Sequence, residues 1–178
     1  MGQQNALHTG ATPEYADAMM KFLGDRDPMT VFAESPVQYR QAIAGLSAGQ
    51  LTTPEAPGKW SVAAVLQHLA DVEIVLGLRY RRVLAQPGKS VPAIDQDALA
   101  AVMDYNNADA AAALDDFEAV RRANLRLLRK LTPAQLQLHG IHEERGRETL
   151  AHMVRLYAAH DCYHLYQIDR IKKAIGAA

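Results

Sequence analysis

The sequence holds a single cysteine, Cys162, so no disulfide can close within the chain, and a reducing cytoplasmic setting is expected. An excess of either charge is also missing. Nineteen Lys and Arg against 20 Asp and Glu leave a formal net charge of −1, which gives nucleic acid or an anionic membrane surface no electrostatic reason to bind. Long apolar runs are absent: the longest helical segments carry charges throughout, so none reads as a membrane span. The opening MGQQNALHTG has neither a basic cluster nor the apolar stretch of a leader, and Ala6 stands where N-myristoylation needs Ser or Thr, so no targeting signal is expected. Strand signals are scarce, since β-branched and aromatic residues nowhere alternate with polar ones for long. Internal repeats, low-complexity segments and extended heptads are lacking as well.

What is present is globular: 178 residues, 49% hydrophobic and 22% charged, enough for one domain with a sizeable core. Ala and Leu dominate, which points to an all-α protein. Proline and glycine punctuate it into a short helix from Pro13 to Leu23, closed by Gly24, and a further turn capped by Asp27 with Pro28 at its first position. Four main helices follow, over 36–46, 61–85, 96–130 and 148–174. Ser35-Pro36 is read as opening the first, Ser61 as capping the second, and Asn106-Asn107 as bending the third. The segments SAGQLTTPEAPGK, PGKSVPAID and HGIHEERGR are read as loops, and the first two, before and after the 61–85 helix, are long enough for crossover connections in a bundle.

The histidines fall on particular helix faces. In AAHDCYHLYQ, His160 and His164 are four apart and so share a face. Met153, Leu156, Gln167 and Ile171 lie within about 40° of the same line at 100° per residue, so that stripe faces the core. On the 61–85 helix, Val72 and Val75 line up with His68 in the same way, and Arg79 continues the line. Two core-facing stripes thus carry three imidazoles. Each ring nitrogen left unpaired in a core costs about 1–3 kcal/mol. The three either pair with polar neighbours or share a divalent metal, which takes a lone pair from each neutral ring.

Three blocks in this order resemble the DinB-like (DinB/YfiT) superfamily of four-helix-bundle metalloproteins. They are APGKWSVAAVLQHLADVEIVLGLRYRRVL, the middle tract YNNADAAAALDDFEAVRRANLRLLRKL, and RGRETLAHMVRLYAAHDCYHLYQIDRI. The resemblance covers about residues 35–175. It implies a bundle domain over 35–178 preceded by a 1–34 extension with short helices. It also implies a divalent metal, zinc or nickel, held by His68, His160 and His164, the same three that the faces select. The better-understood branches are transferases or isomerases that use a low-molecular-weight thiol such as bacillithiol, mycothiol or glutathione. The expectation is therefore a metal-dependent transferase acting with such a thiol on a small electrophile. The alternatives are a metal-dependent hydrolase using the same open coordination position, a non-catalytic metal- or ligand-binding bundle, and a structural bundle without metal.

Several other residues carry expectations. Asp71, three after His68, is the candidate catalytic base or a hydrogen-bond partner of a ligand histidine; a solvated role competes. Arg79 is a candidate for holding an anionic group of the thiol cofactor, against a snorkelling or ion-paired role. Gln167, on the metal stripe, is a candidate contact to substrate or to a ligand imidazole. Asp161 is read as supporting the site or lying on the surface, Trp60 as packing, Tyr157 as packing with pocket lining as the alternative, and Cys162 as buried filler or interface. His152 lies too far along its helix to join the site. HEERG lacks the second histidine of HExxH and is discounted. His8, His139 and His142 are read as solvated, with His142 in a loop that could cover a pocket. Apolar faces on the long helices suggest a homodimer.

Overall fold

The computed structural model describes residues 13–177, and His8 and the opening decapeptide lie outside them. Helix α1 spans Pro13–Leu23 and α2 Pro28–Ala42. Asp27 caps α2 as expected, its carboxylate accepting from Thr30 N at 2.8 Å, with Pro28 at the first position. The helix does not begin at Ser35-Pro36: it runs unbroken through the 34/35 division and keeps Pro36 inside. Proline there removes the N–H that would bond the carbonyl of Phe32. The Arg121 guanidinium reaches that carbonyl instead, at 3.4 Å. Ser35 is no cap but a buried residue donating to Asp161 at 2.7 Å.

Helix α3 (Ala48–Thr52) crosses to α4 (Val62–Ala85), whose N-cap is Ser61, accepting from Ala64 N at 3.2 Å. The expected single tract 96–130 is two helices, α5 (Gln96–Val102) and α6 (Ala110–Leu128), separated by a 3₁₀ turn at Tyr105–Asn107. Asp104 takes a left-handed φ of 48° before that turn. Asn106 then leaves helical pairing to bind the start of α4, accepting from Ser61 N at 2.7 Å and donating to Lys59 O at 3.3 Å. Short amides compete with helix hydrogen bonding in this way. Helix α7 (Pro133–Leu136) precedes α8 (Leu150–Ala174), which Thr149 caps.

The linker and the polar loop contain a small sheet that the sequence reading missed. Strand β1 (Ser90–Val91) pairs in parallel with β2 (His139–His142), and β2 pairs antiparallel with β3 (Gly146–Thr149). His142 opposes Gly146 across a three-residue turn, and Gly146 has φ 75°, the left-handed residue that closes such turns. Glu148 therefore lies in a strand, and α8 starts two residues later than expected. Gly140 lets β2 approach closely: a Cβ there would stand 2.7 Å from Val91 Cγ1 and 3.0 Å from Val83 Cγ2.

Helices α2, α4, α6 and α8 form the bundle. Helix α4 packs on α6 and α8, α2 packs on α6 and α8, and α1 lies along α8. The core is in two parts. One gathers Val72, Leu76, Tyr80, Leu125, Leu128 and Val154 with Met19 and Leu23 of α1; the other gathers Leu66, Leu69, Ala113, Phe117, Ile168 and Ile171. Between them along each helix falls a buried polar layer that includes Ser35, His68, Glu73, Arg121, Asn124, His160, Asp161, His164 and Gln167. Among the described residues no helix is long and apolar enough to cross a membrane.

Candidate metal centre

Helix periodicity puts His160 and His164 on one face of α8, and the packing of α4 against that face delivers His68. The three side chains are 3–5% exposed. Their Nε2 atoms converge: His160 Nε2 lies 3.1 Å from His68 Nε2 and 3.0 Å from His164 Nε2. One ligand atom from each lies within 4.8 Å of the others. Zinc bound tetrahedrally at about 2.0–2.1 Å holds its donors about 3.3 Å apart, so this donor set fits a divalent ion.

The neighbours prepare the rings for that task. His164 Nδ1 donates to Gln167 Oε1 at 2.7 Å, which leaves the Nε2 lone pair facing the other two rings. Burial first, then the adjacent His164 and His68, hold His160 well below the usual histidine range, so its ring is neutral and able to donate. Trp60 is more than a packing anchor at the helix start: its ring lies against His68, with centroids 4.9 Å apart.

A small cleft opens beside the trio. His68 and His160 line it, together with Val72, Arg79, Ile94, Gln96, His142, Glu144, Arg145, Leu156 and Tyr157. Arg79 thus reaches the site, as its place on the His68 line suggested. Its guanidinium is anchored by Pro92 O, at 2.9 Å from Nε and 2.6 Å from Nη2, and donates from Nη1 to the Tyr157 hydroxyl at 2.5 Å. Tyr157 packs in the core and also presents that hydroxyl in the cleft wall, so both readings of it apply.

The other two candidates, Asp71 and Gln167, lie outside the cleft lining. The Asp71 carboxylate accepts from the Tyr105 hydroxyl and, at 3.4 Å, from the Gln67 amide, and so ties the 3₁₀ turn to α4. Burial and that carboxylate keep Tyr105 protonated, its pKa well above the ordinary phenol value. Of the two contacts read for Gln167, the one present is with an imidazole of the trio, that of His164.

The sequence reading places His142 in a loop that could cover a pocket but takes it as solvated, and it misses Arg145 and the hairpin itself. His142 is buried beside the cleft, with Nδ1 accepting from the backbone N–H of Glu144 at 3.2 Å and of Arg145 at 3.4 Å. Arg145 pairs with Glu148 at 2.6 Å. The available signal was a glycine-closed turn between two short segments, HGIH and GRET.

Asp161 is neither on the surface nor at the cleft. It joins a buried cluster centred on Arg121, whose Nη1 donates to Asp161 Oδ2 at 2.5 Å and whose Nη2 donates to Glu73 Oε2 at 2.8 Å. Asn124 donates to Glu73 Oε1 at 2.9 Å. Burial works against the charge on Arg121, and the two carboxylates outweigh it and hold the guanidinium protonated. Phe32 and Phe117 lie 4.2 and 4.6 Å from its centre. One guanidinium therefore ties together all four bundle helices, directly behind His160. Cys162 is buried in the core, and His152 lies 4.0 Å from Glu148.

Comparison with known proteins agrees with this architecture. The model of the DinB superfamily matches residues 32–168. The chain is 28% identical over 148 residues to "Putative metal-dependent hydrolase YfiT" of Bacillus subtilis, covering 82% of this chain and 83% of that protein. A relative in Geobacillus thermodenitrificans, also named a putative metal-dependent hydrolase, is 30% identical over 145 residues, covering 80% and 81%. A similarly named relative in Bacillus licheniformis is 27% identical over 173 residues, covering 96% and 95%. The solved structure of YfiT from Bacillus subtilis, described as a four-helix bundle of unusual topology, superposes with a TM-score of 0.77 at 25% identity, over 93% of this chain and 90% of that one. With the family model spanning most of its length and the bundle shared, this chain belongs to the DinB superfamily.

Proposed function

We propose that the protein is a metal-dependent hydrolase of a small molecule. The observation that carries this reading is the convergence of three histidine Nε2 atoms at the wall of a cleft that two of the same rings line. His68, His160 and His164 would hold the ion, with zinc or nickel suited to imidazole donors. When bound, a divalent ion there supplies Lewis acidity and activates water near neutral pH.

The chain's own residues do the rest. Gln167 keeps the His164 ring turned. Arg79, Tyr157 and His142 bind and orient the substrate in the cleft. Among the described residues lining the cleft Glu144 is the one carboxylate, and it is exposed at the rim, where it would pass on to solvent a proton that the attacking water releases. The relatives above carry hydrolase names and none carries a transferase name, which favours water over a thiol as the nucleophile.

The test is metal quantification of protein purified without a histidine tag, for the wild type and for His68→Ala, His160→Ala and His164→Ala. Hydrolysis of chromogenic esters, amides and phosphoesters is then assayed with and without added thiols. About one equivalent of metal in the wild type, its loss in the variants, and metal-dependent hydrolysis without thiol are expected. Equal metal content in all four proteins, or turnover only with a thiol, overturns the proposal.

A further inference from the structure

Donors outnumber carboxylates among the polar groups of the cleft wall beside the three histidines: Arg79, Arg145, His142 and Tyr157 stand among Val72, Ile94 and Leu156, with Gln96 and Glu144 also lining it. Arg79 is 2% exposed, and its partners are neutral: two donations go to the Pro92 carbonyl and one to the Tyr157 hydroxyl. Those use three of the five N–H groups of a guanidinium. Among the described residues Arg79 has no carboxylate within ion-pair distance, unlike Arg121 with Glu73 and Asp161, or Arg145 with Glu148. A guanidinium kept from water without a counter-charge is costly. An anion in the cleft would supply that charge.

The surrounding groups point the same way. The Tyr157 oxygen accepts from Arg79 Nη1 at 2.5 Å and from Arg145 Nη2 at 3.5 Å, so its own hydrogen is left to donate. His142 has Nδ1 turned to two backbone N–H groups, so its proton sits on Nε2 and that atom donates too. Burial first, then Arg145 and Arg79, push this ring down to about 4, so it stays a neutral donor at physiological pH. Of the carboxylates near these groups, Glu148 is taken by Arg145, and Glu144 is exposed at the rim.

We propose that this wall is an oxyanion subsite, which takes a carboxylate or phosphate group of the small-molecule substrate, with Arg79 as its counter-charge and Tyr157 and His142 as neutral donors. The proposal rests on the hydrolase reading for the word substrate, but the subsite itself is a property of these side chains.

Calorimetric binding to the full-length protein tests it, with acetate, inorganic phosphate and, as a neutral control, acetamide. Arg79→Lys and Tyr157→Phe are compared with the wild type at matched metal content. Saturable binding of an anion, absent for acetamide, is expected. Arg79→Lys should weaken it about tenfold, because an ammonium lacks the planar fork. Tyr157→Phe, which preserves the packing, should weaken it about fivefold by removing one donor. Tighter binding of acetate assigns a carboxylate; tighter binding of phosphate assigns a phosphoryl group. Anion affinities unchanged in both variants, which mark binding by the metal alone, overturn the subsite, as does acetamide binding equal to acetate. Anion binding that needs Arg79 in a protein that hydrolyses nothing would uphold the subsite and sink the hydrolase reading. Metal-dependent hydrolysis in a protein whose anion affinity is the same in wild type and Arg79→Lys would do the reverse.

Discussion

Replacing Arg121 with Met should cost the protein a large share of its stability, and more at neutral than at acid pH. The Arg121 side chain and its two carboxylate partners are each 2% exposed. It donates to Asp161 at 2.5 and 3.2 Å, to Glu73 at 2.8 Å, to Ser35 at 3.0 Å and to Phe32 O at 3.4 Å. Methionine keeps contact with Phe32 and Phe117 but leaves two carboxylates buried without a cation. Breaking a buried ion pair from one side costs about 3–5 kcal/mol. Domains of this size are stable by about 5–15 kcal/mol. With a urea slope of about 2 kcal/mol per molar, the midpoint should fall by about 1.5–2.5 M. Burial already raises the Asp161 carboxyl even beside Arg121, and it should rise further in the variant once that cation is gone. Stability from such groups is present below the unfolded pKa and is lost as pH rises through the folded one. The deficit against wild type should therefore shrink between pH 7 and pH 4.5. Adding Glu73→Gln and Asp161→Asn should recover part of it at pH 7, since a neutral amide is cheaper to bury than an unpaired carboxylate. A loss under about 1 kcal/mol, the same at both pH values, would refute the account of Arg121 as the clasp of the bundle.

Two further outcomes are expected. Gly140→Ala places a methyl 2.7 Å from Val91 Cγ1, so overpacking should cost about 1–3 kcal/mol and shift the strand that carries His142. A thermal melt matching wild type would contradict the close approach of β2 to β1 and α4. His142 sits at about 4 in the fold against about 6.5 in an unfolded chain. Between those values the unfolded chain takes up a proton that the native state refuses. Stability is therefore full above pH 6.5 and falls as pH drops through 4, by at most about 3 kcal/mol. His142→Gln should flatten that part of the stability curve; an unchanged slope would show that His142 titrates normally in the fold.

Much of the candidate metal centre was legible because helix geometry is local. A residue's face follows from its number at about 100° per step, so His68, His160 and His164 could be assigned to core-facing stripes, and Arg79 could be placed in line with His68. Asp27 and Ser61 could be read as caps for the same reason. Asp71 and Gln167 mark the limit of that reasoning. Periodicity placed both near the right histidines, but Asp71 is turned to Tyr105 by a 3₁₀ turn whose position depends on Asn106 binding the start of α4. Gln167 is held by His164 itself.

The sequence alone determined the helical class, the capped ends of α2 and α4, and the histidine-bearing stripes, because each follows from residues within a few turns of one another. Only the tertiary structure decided what surrounds the histidines. The pairing of Ser90 with Ile141 brings His142 and Arg145 to the cleft, and the meeting of Ser35, Glu73, Arg121 and Asp161 makes one charged cluster from four helices. Such contacts join residues far apart in the chain, and their energy depends on the burial and counter-charges that the packed bundle creates.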